Sequence, residues 1–184
     1  MAETATKQIA LGYEAPDFTL PDTVSGRELS LQELKGEQAT VVMFICNHCP
    51  FVKHVNKELV RLANDYSPKG VSFIAINSND VENYPDDSPE NMKRTAEELG
   101  YPFPYLYDET QDVARAYSAA CTPDLSIFDK DLKCVYRGQL DDSRPGNDIP
   151  PSGKDIRAAL DNILAGEPVS ADQRPSIGCN IKWK

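Results

Sequence analysis

The chain has 184 residues, 40% of them hydrophobic and 26% charged, enough for one domain burying about 70% of the surface its unfolded form exposes. Its 29 acidic and 19 basic side chains give a formal charge of -10, which disfavours nucleic-acid phosphates and anionic lipid headgroups as partners. The longest apolar run, residues 39–46, is far shorter than the about 20 residues that cross a bilayer.

In chain order, Ala15-Pro16-Asp17-Phe18-Thr19-Leu20-Pro21-Asp22 and Gly26-Arg27-Glu28-Leu29-Ser30 alternate around turn residues and predict a small β-hairpin. Ser30-Leu31-Gln32-Glu33 is a capping box, predicting a short helix ended by Gly36. Residues 40–45 form a continuous apolar, β-branched run, the pattern of a strand covered on both faces. Phe51, Val55, Leu59 and Leu62 recur at helical spacing between Pro50 and Tyr66, and Val71 to Ile76 is a second apolar strand, which completes a βαβ unit. Ser88-Pro89 starts a helix to about Leu99, followed by a short strand within 103–107 and a helix over about 111–117. Residues 125–128 and 134–140 read as a hairpin, and 152–164 as a closing amphipathic helix. The expected fold is α/β, a central mixed sheet flanked by helices with an N-terminal hairpin extension, one domain with its core at about 10–165 and a tail over 166–184.

Cys46-Asn47-His48-Cys49 falls at the carboxyl end of the first long strand, where chemistry collects in open α/β sheets. A C-x-x-C pair in a strand-to-helix turn brings two sulfurs within bridging distance and offers a thiolate the partial positive charge of a helix N-terminus. These are the needs of thiol-disulfide exchange. Cys46 is expected to be the nucleophile, with its pKa lowered by His48 and the helix, and Cys49 the resolving thiol. Five cysteines, an odd number spread over a long chain, suit redox thiols in a reducing compartment such as the cytoplasm better than structural bridges. Residues 1–7 have neither the basic nor the apolar region of a secretory leader.

Phe44-Ile45-Cys46-Asn47-His48-Cys49-Pro50 within this βαβ order resembles the thioredoxin superfamily, most closely its peroxiredoxin-like, AhpC/TSA-type members, over roughly residues 10–165. Ala15-Pro16-Asp17-Phe18 is similar to the opening of those domains, and Thr122-Pro123 to their cis-proline loop. The resemblance implies a thioredoxin-like fold and a thiol-disulfide oxidoreductase that needs no cofactor. Its partners would be a protein or small-molecule disulfide and a thiol electron donor. It also implies a cis Pro123, with the backbone at Thr122 and Pro123 pairing with an extended substrate. Histidine before the second cysteine is similar to oxidising disulfide catalysts and implies a couple less reducing than thioredoxin's. Thioredoxin's buried aspartate is replaced by Thr40, with Asp108 and Glu109 as candidate substitutes.

A peroxiredoxin-like alternative makes Cys49 the peroxidatic thiol. Cys49-Pro50 fits that family's Pro-x-x-x-Thr-x-x-Cys turn, but Val42 and Cys46 replace its proline and threonine, and Thr122-Pro123-Asp124 lacks its arginine. A structural zinc site would need a second ligand pair that the sequence does not supply near His48 and His54, so no metal is expected. Cys121, next to Thr122, is a candidate auxiliary thiol or a packed side chain, whereas Cys134 reads as packing. The tail over 173–183 is less polar than a disordered end. Either it folds back so that Cys179 relays electrons, or it frays with an incidental thiol. The loop over 141–146 reads equally as functional or as salt-bridged structure, and His54 as solvated or capping.

Overall fold

The computed structural model describes residues 3–184; Met1 and Ala2, which begin the polar opening stretch, lie outside the described residues. Strand β1 (Glu3–Ala5) precedes the expected hairpin, β2 (Thr19–Pro21) antiparallel to β3 (Glu28–Ser30). Ser30 then caps α1 (Leu31–Leu34): its hydroxyl accepts the Glu33 N–H while the Glu33 carboxylate accepts the Ser30 N–H, so two orphan amides are satisfied reciprocally. Gly36 is needed for close approach rather than for a left-handed helix end. A Cβ there would lie 2.1 Å from the Ala39 carbonyl oxygen and 2.7 Å from the Ser72 nitrogen.

The chain continues through β4 (Ala39–Phe44), α2 (Pro50–Tyr66), β5 (Val71–Asn77), α3 (Pro89–Leu99), β6 (Tyr105–Tyr107), α4 (Asp112–Ala116), β7 (Cys121–Thr122), β8 (Asp124–Asp129), β9 (Cys134–Gly138), α5 (Lys154–Leu164) and β10 (Ile177–Asn180). The expected elements are found, with ends shifted by up to four residues. The main sheet has the order β6-β5-β4-β8-β9. β4, β5 and β6 run parallel, as βαβ crossovers require, and β8 and β9 run antiparallel to β4 and to each other.

Alternation along β4 explains why its sequence is apolar throughout. Val41 and Met43 enter a core with Val55, Leu59, Leu62, Ile156 and Leu160 of α2 and α5, while Val42 and Phe44 enter a second core with Leu31 and Ala114 of α1 and α4. No helix of the described residues is long and apolar enough to cross a membrane.

A second sheet, β1-β10-β7, joins the two chain ends. β10 runs antiparallel to both neighbours, pairing Cys179 with Glu3 on one side and with Thr122 on the other. Of the two readings of the tail, the folded one is found. The tail is further tied down at Lys182, whose N–H donates to Asn79 Oδ1 at 2.9 Å and whose carbonyl accepts from the Asp80 N–H and Gln111 Nε2, both at 2.8 Å.

Candidate functional site

β4 delivers Cys46 just beyond its last residue, and α2 begins with Cys49 as its N-cap and Pro50 in its first turn. Proline fits there because its missing N–H would have had no helical partner. The Thr122–Pro123 peptide is cis, as the resemblance implies, and packs against both thiols. Cys46 Sγ lies 3.4 Å from Thr122 Oγ1, and Cys49 donates to the Thr122 carbonyl at 3.4 Å. Both cysteines are buried, Cys46 at 2% exposure and Cys49 at 0%. Cys46 is thus marginally nearer the surface.

The intervening dipeptide is anchored by a carboxylate that sequence reasoning missed. Asp87, wholly buried, accepts the Asn47 N–H at 2.7 Å, Asn77 Nδ2 at 3.2 Å and Asn79 Nδ2 at 3.0 Å. Its Oδ2 meets His48 Nδ1 at 2.5 Å. Asn47 donates in turn to the Asp86 carbonyl and accepts from the Tyr105 hydroxyl, each at 2.9 Å. Tyr84 stacks on the His48 ring at 5.9 Å between centroids, with Lys182 Nζ 5.7 Å from the Tyr84 centroid. Asp87 raises the His48 pKa. Burial pushes Asp87 upward, but His48, Asn79 and the Asn47 amide together hold it below the usual carboxylate value.

The thiols respond in opposite directions. Cys49 is pulled well below its ordinary 9.0 by the Cys46 thiol, against the opposing effect of burial, and further by Cys179, Thr122 and the Val52 amide in the first turn of α2. Cys46 is pushed well above 9.0 by sharing its proton with Cys49, by burial, and by the Asp87 carboxylate. The expectation that His48 lowers the Cys46 pKa is therefore overturned. The histidine's charge is spoken for by Asp87, whose own negative charge opposes a thiolate at Cys46.

Cys46, His48 and Asp87 present donor atoms within 4.8 Å of one another. The 2.5 Å approach of His48 to Asp87 is a hydrogen-bond separation, closer than two ligands about 2.0–2.1 Å from one tetrahedral zinc would stand. His48 is thus engaged by Asp87, and Cys46 by the Thr122 hydroxyl.

Thr122 and Pro123 lie beside the thiols, but the ladder edge of Thr122, where an extended substrate was expected, is taken by the chain's own Cys179. Strand pairing of a substrate at that residue is closed in this conformation. Cys179 reaches the centre, opposite Thr122 across the ladder and in the same buried cluster as Cys46 and Cys49. Cys121 does not: adjacent strand residues face opposite ways, and its thiol donates to the Pro123 carbonyl at 3.6 Å on the side facing Asp124 and Thr6.

Asp108 is no substitute for thioredoxin's aspartate, since it accepts from Ser78 Oγ and the Ala114 N–H at the start of α4. Glu109 is exposed, its carbonyl accepting from Lys184 Nζ. Cys134 packs in the second core as expected. His54 is half-buried, and its Nε2 has no hydrogen-bond partner among the described residues, unlike the solvated or capping group expected. The loop at 141–146 is held by Asp141, which accepts from the Ser143, Ser152 and Gly153 amides, so its acids are accounted for as structure.

The sequence model of the AhpC/TSA family matches residues 11–137. The chain is similar to a solved structure of an uncharacterized conserved protein from Geobacillus kaustophilus, with 68% identity, a TM-score of 0.98 and coverage of 100% of this chain and 97% of that one. It is 28% identical over 132 residues to the thiol-disulfide oxidoreductase ResA of Geobacillus thermodenitrificans, covering 71% of this chain and 70% of the relative. The thioredoxin domain of a thiol-disulfide oxidoreductase from Bacteroides vulgatus superposes with a TM-score of 0.60 at 23% identity, over 71% of this chain and 89% of that domain. That likeness shows the thioredoxin-like fold.

Proposed function

Because the chain belongs to the AhpC/TSA family, whose model matches residues 11–137, and carries two thiols in a strand-to-helix turn, we propose that it is a thiol-disulfide oxidoreductase working through Cys46 and Cys49. The observation that carries this reading is the approach of both thiols to one residue, Cys46 Sγ 3.4 Å from the Thr122 hydroxyl and Cys49 Sγ 3.4 Å from its carbonyl. Cys49 is the thiol of the pair that ionises more readily, favoured above all by the Cys46 S–H.

In the proposed sequence, Cys49 first takes the proton of Cys46. The Cys46 thiolate attacks a substrate disulfide, one new S–S bond forms as the old one breaks, and the first substrate thiolate leaves and takes up a proton. His48, its charge held by Asp87, is placed to supply that proton. Cys49 attacks Cys46 Sγ, so a Cys46–Cys49 disulfide forms as the bond to the second substrate sulfur breaks, and the proton lost by Cys49 is taken up by that departing sulfur. A protein or small-molecule disulfide is the substrate, and a thiol donor in a reducing compartment restores the dithiol.

Reduction of insulin disulfides with dithiothreitol as donor tests the reading. Wild type should turn over, Cys46→Ser and Cys49→Ser should not, and Cys49→Ser alone should accumulate a mixed disulfide through Cys46. Trapping by Cys46→Ser instead would reverse the roles.

The depressed Cys49 pKa favours a second reading, a peroxidatic Cys49. Against it, Asp124, a buried acid, stands in the segment where that family has its arginine, and Cys49 has no exposed surface. Hydrogen peroxide consumption that survives in Cys46→Ser would favour this second reading over the first.

A further inference from the structure

Three of the five cysteines converge on one residue. Thr122 holds Cys46 through its hydroxyl and Cys49 through its carbonyl, and its partner across the β10–β7 ladder is Cys179. Cys179 is 3% exposed and belongs to the same buried cluster as Cys46 and Cys49. α2 starts at these sulfurs, with Cys49 as its N-cap and the Val52 N–H donating to the Cys49 carbonyl at 3.1 Å. Burial first, and then Cys49, push the Cys179 thiol up to about 12 in the dithiol state; a Cys46–Cys49 disulfide removes the Cys49 charge that opposes a thiolate at Cys179. Cys49, at 3.4 Å from the Thr122 carbonyl, lies in the same buried cluster as Cys46 and Cys179.

This placement is built into the fold. A Cβ on Gly178 would lie 2.0 Å from the Thr122 carbonyl oxygen, so only glycine lets β10 approach the cis-proline loop this closely. Ser176 Oγ donates to the Pro123 carbonyl at 2.6 Å before β10 begins, and Asn79, Asp80 and Gln111 hold Lys182 after it ends. Cys179 is pinned at both ends of its strand. Cys121, one residue from Thr122 in sequence, faces away, which separates a placed thiol from an incidental neighbour.

We infer that Cys179 is a third exchanging thiol of this centre, an assignment that rests on the oxidoreductase reading above. Its thiolate attacks Cys49 Sγ of the Cys46–Cys49 disulfide. The Cys49–Cys179 bond forms as the Cys46–Cys49 bond breaks, Cys46 leaves as a thiolate, and the proton lost by Cys179 is taken up there. No electrons are gained or lost. The two oxidising equivalents move from the outer pair to the inner one, and Cys46 is returned to the surface side as a free thiol.

Non-reducing peptide mapping after acid quench and alkylation tests this. Wild type oxidised by one equivalent of diamide should contain both Cys46–Cys49 and Cys49–Cys179 linkages within the monomer, with a matching fraction of Cys46 alkylated. Cys46→Ser treated alike should form Cys49–Cys179, and that linkage should be lost in Cys46→Ser/Cys179→Ser. Cys179→Ser alone should show no alkylated Cys46 after full oxidation. Cys49 and Cys179 both remaining alkylatable in a folded Cys46→Ser protein would overturn the assignment. If that variant does not fold, wild type containing Cys46–Cys49 alone would overturn it equally. An active wild type with only that linkage removes the third thiol and leaves the oxidoreductase reading standing, whereas loss of insulin reduction by wild type removes both.

Discussion

Asp87 is a carboxylate with no exposed surface that keeps its charge because four donors surround it, one of them a histidine. Burying such a group unpaired would cost several kcal/mol, so the loop over 77–87 and the Cys46–Cys49 turn are locked to each other through it. Replacing Asp87 with Asn leaves donors facing an amide and should destabilise the fold by about 1–3 kcal/mol in urea unfolding. The effect should depend on pH. The His48 pKa is raised above 6.5, so its share of the stability is fully present below 6.5 and is lost as pH rises through the raised value. The Asp87 pKa is lowered, so its share is present above 3.8 and lost as pH falls through the depressed value. Wild type should exceed Asp87→Asn most between these limits, with the gap narrowing on the alkaline side. A gap that widens with rising pH would contradict the ion pair.

Nothing in the sequence marks Asp87 as different from Asp86. It lies in a polar stretch without periodicity, 38 positions beyond Cys49, and only the packing of that loop against the turn gives it a partner. The redox turn itself was legible because its signal is local: an apolar strand, two cysteines at fixed spacing, a first-turn proline and a helical repeat. Which cysteine ionises more readily was not legible, because that depends on how the two thiols and Asp87 are placed.

At the scale of elements, the capping box, the βαβ unit and the β8–β9 hairpin follow from short-range patterns that the structure reproduces. β10 does not. Residues 177–180 contain a glycine and an asparagine, poor strand formers, and become a strand because β1 and β7 supply ladder partners from distant parts of the chain. Gly178 is the test of that dependence. Alanine there would force apart β10 and the Thr122 carbonyl and should cost about 1–3 kcal/mol. It should also raise amide exchange at Cys179 and Asn180 relative to β4. Unchanged exchange and stability would show that the strand does not need the close approach.

At the scale of the molecule, a mixed sheet covered on both faces holds the redox turn rigid, while the small sheet made from both chain ends closes the Thr122 edge beside it. A centre that stabilises a thiolate stabilises its reduced form and makes its disulfide easier to reduce. With Cys49 the more readily ionised of the pair, the couple should lie above thioredoxin's potential of about -270 mV and below the about -120 mV of the strongest bacterial oxidant. Equilibrating the protein in glutathione buffers of graded ratio, quenching with acid and weighing the alkylated chain reads this directly. The account predicts one two-electron transition, assigned by peptide mapping to the Cys46–Cys49 pair with its Cys49–Cys179 isomer, at an intermediate potential. Thiols at Cys46 and Cys49 that stay reduced across the whole range, or a midpoint at or below thioredoxin's, would contradict it.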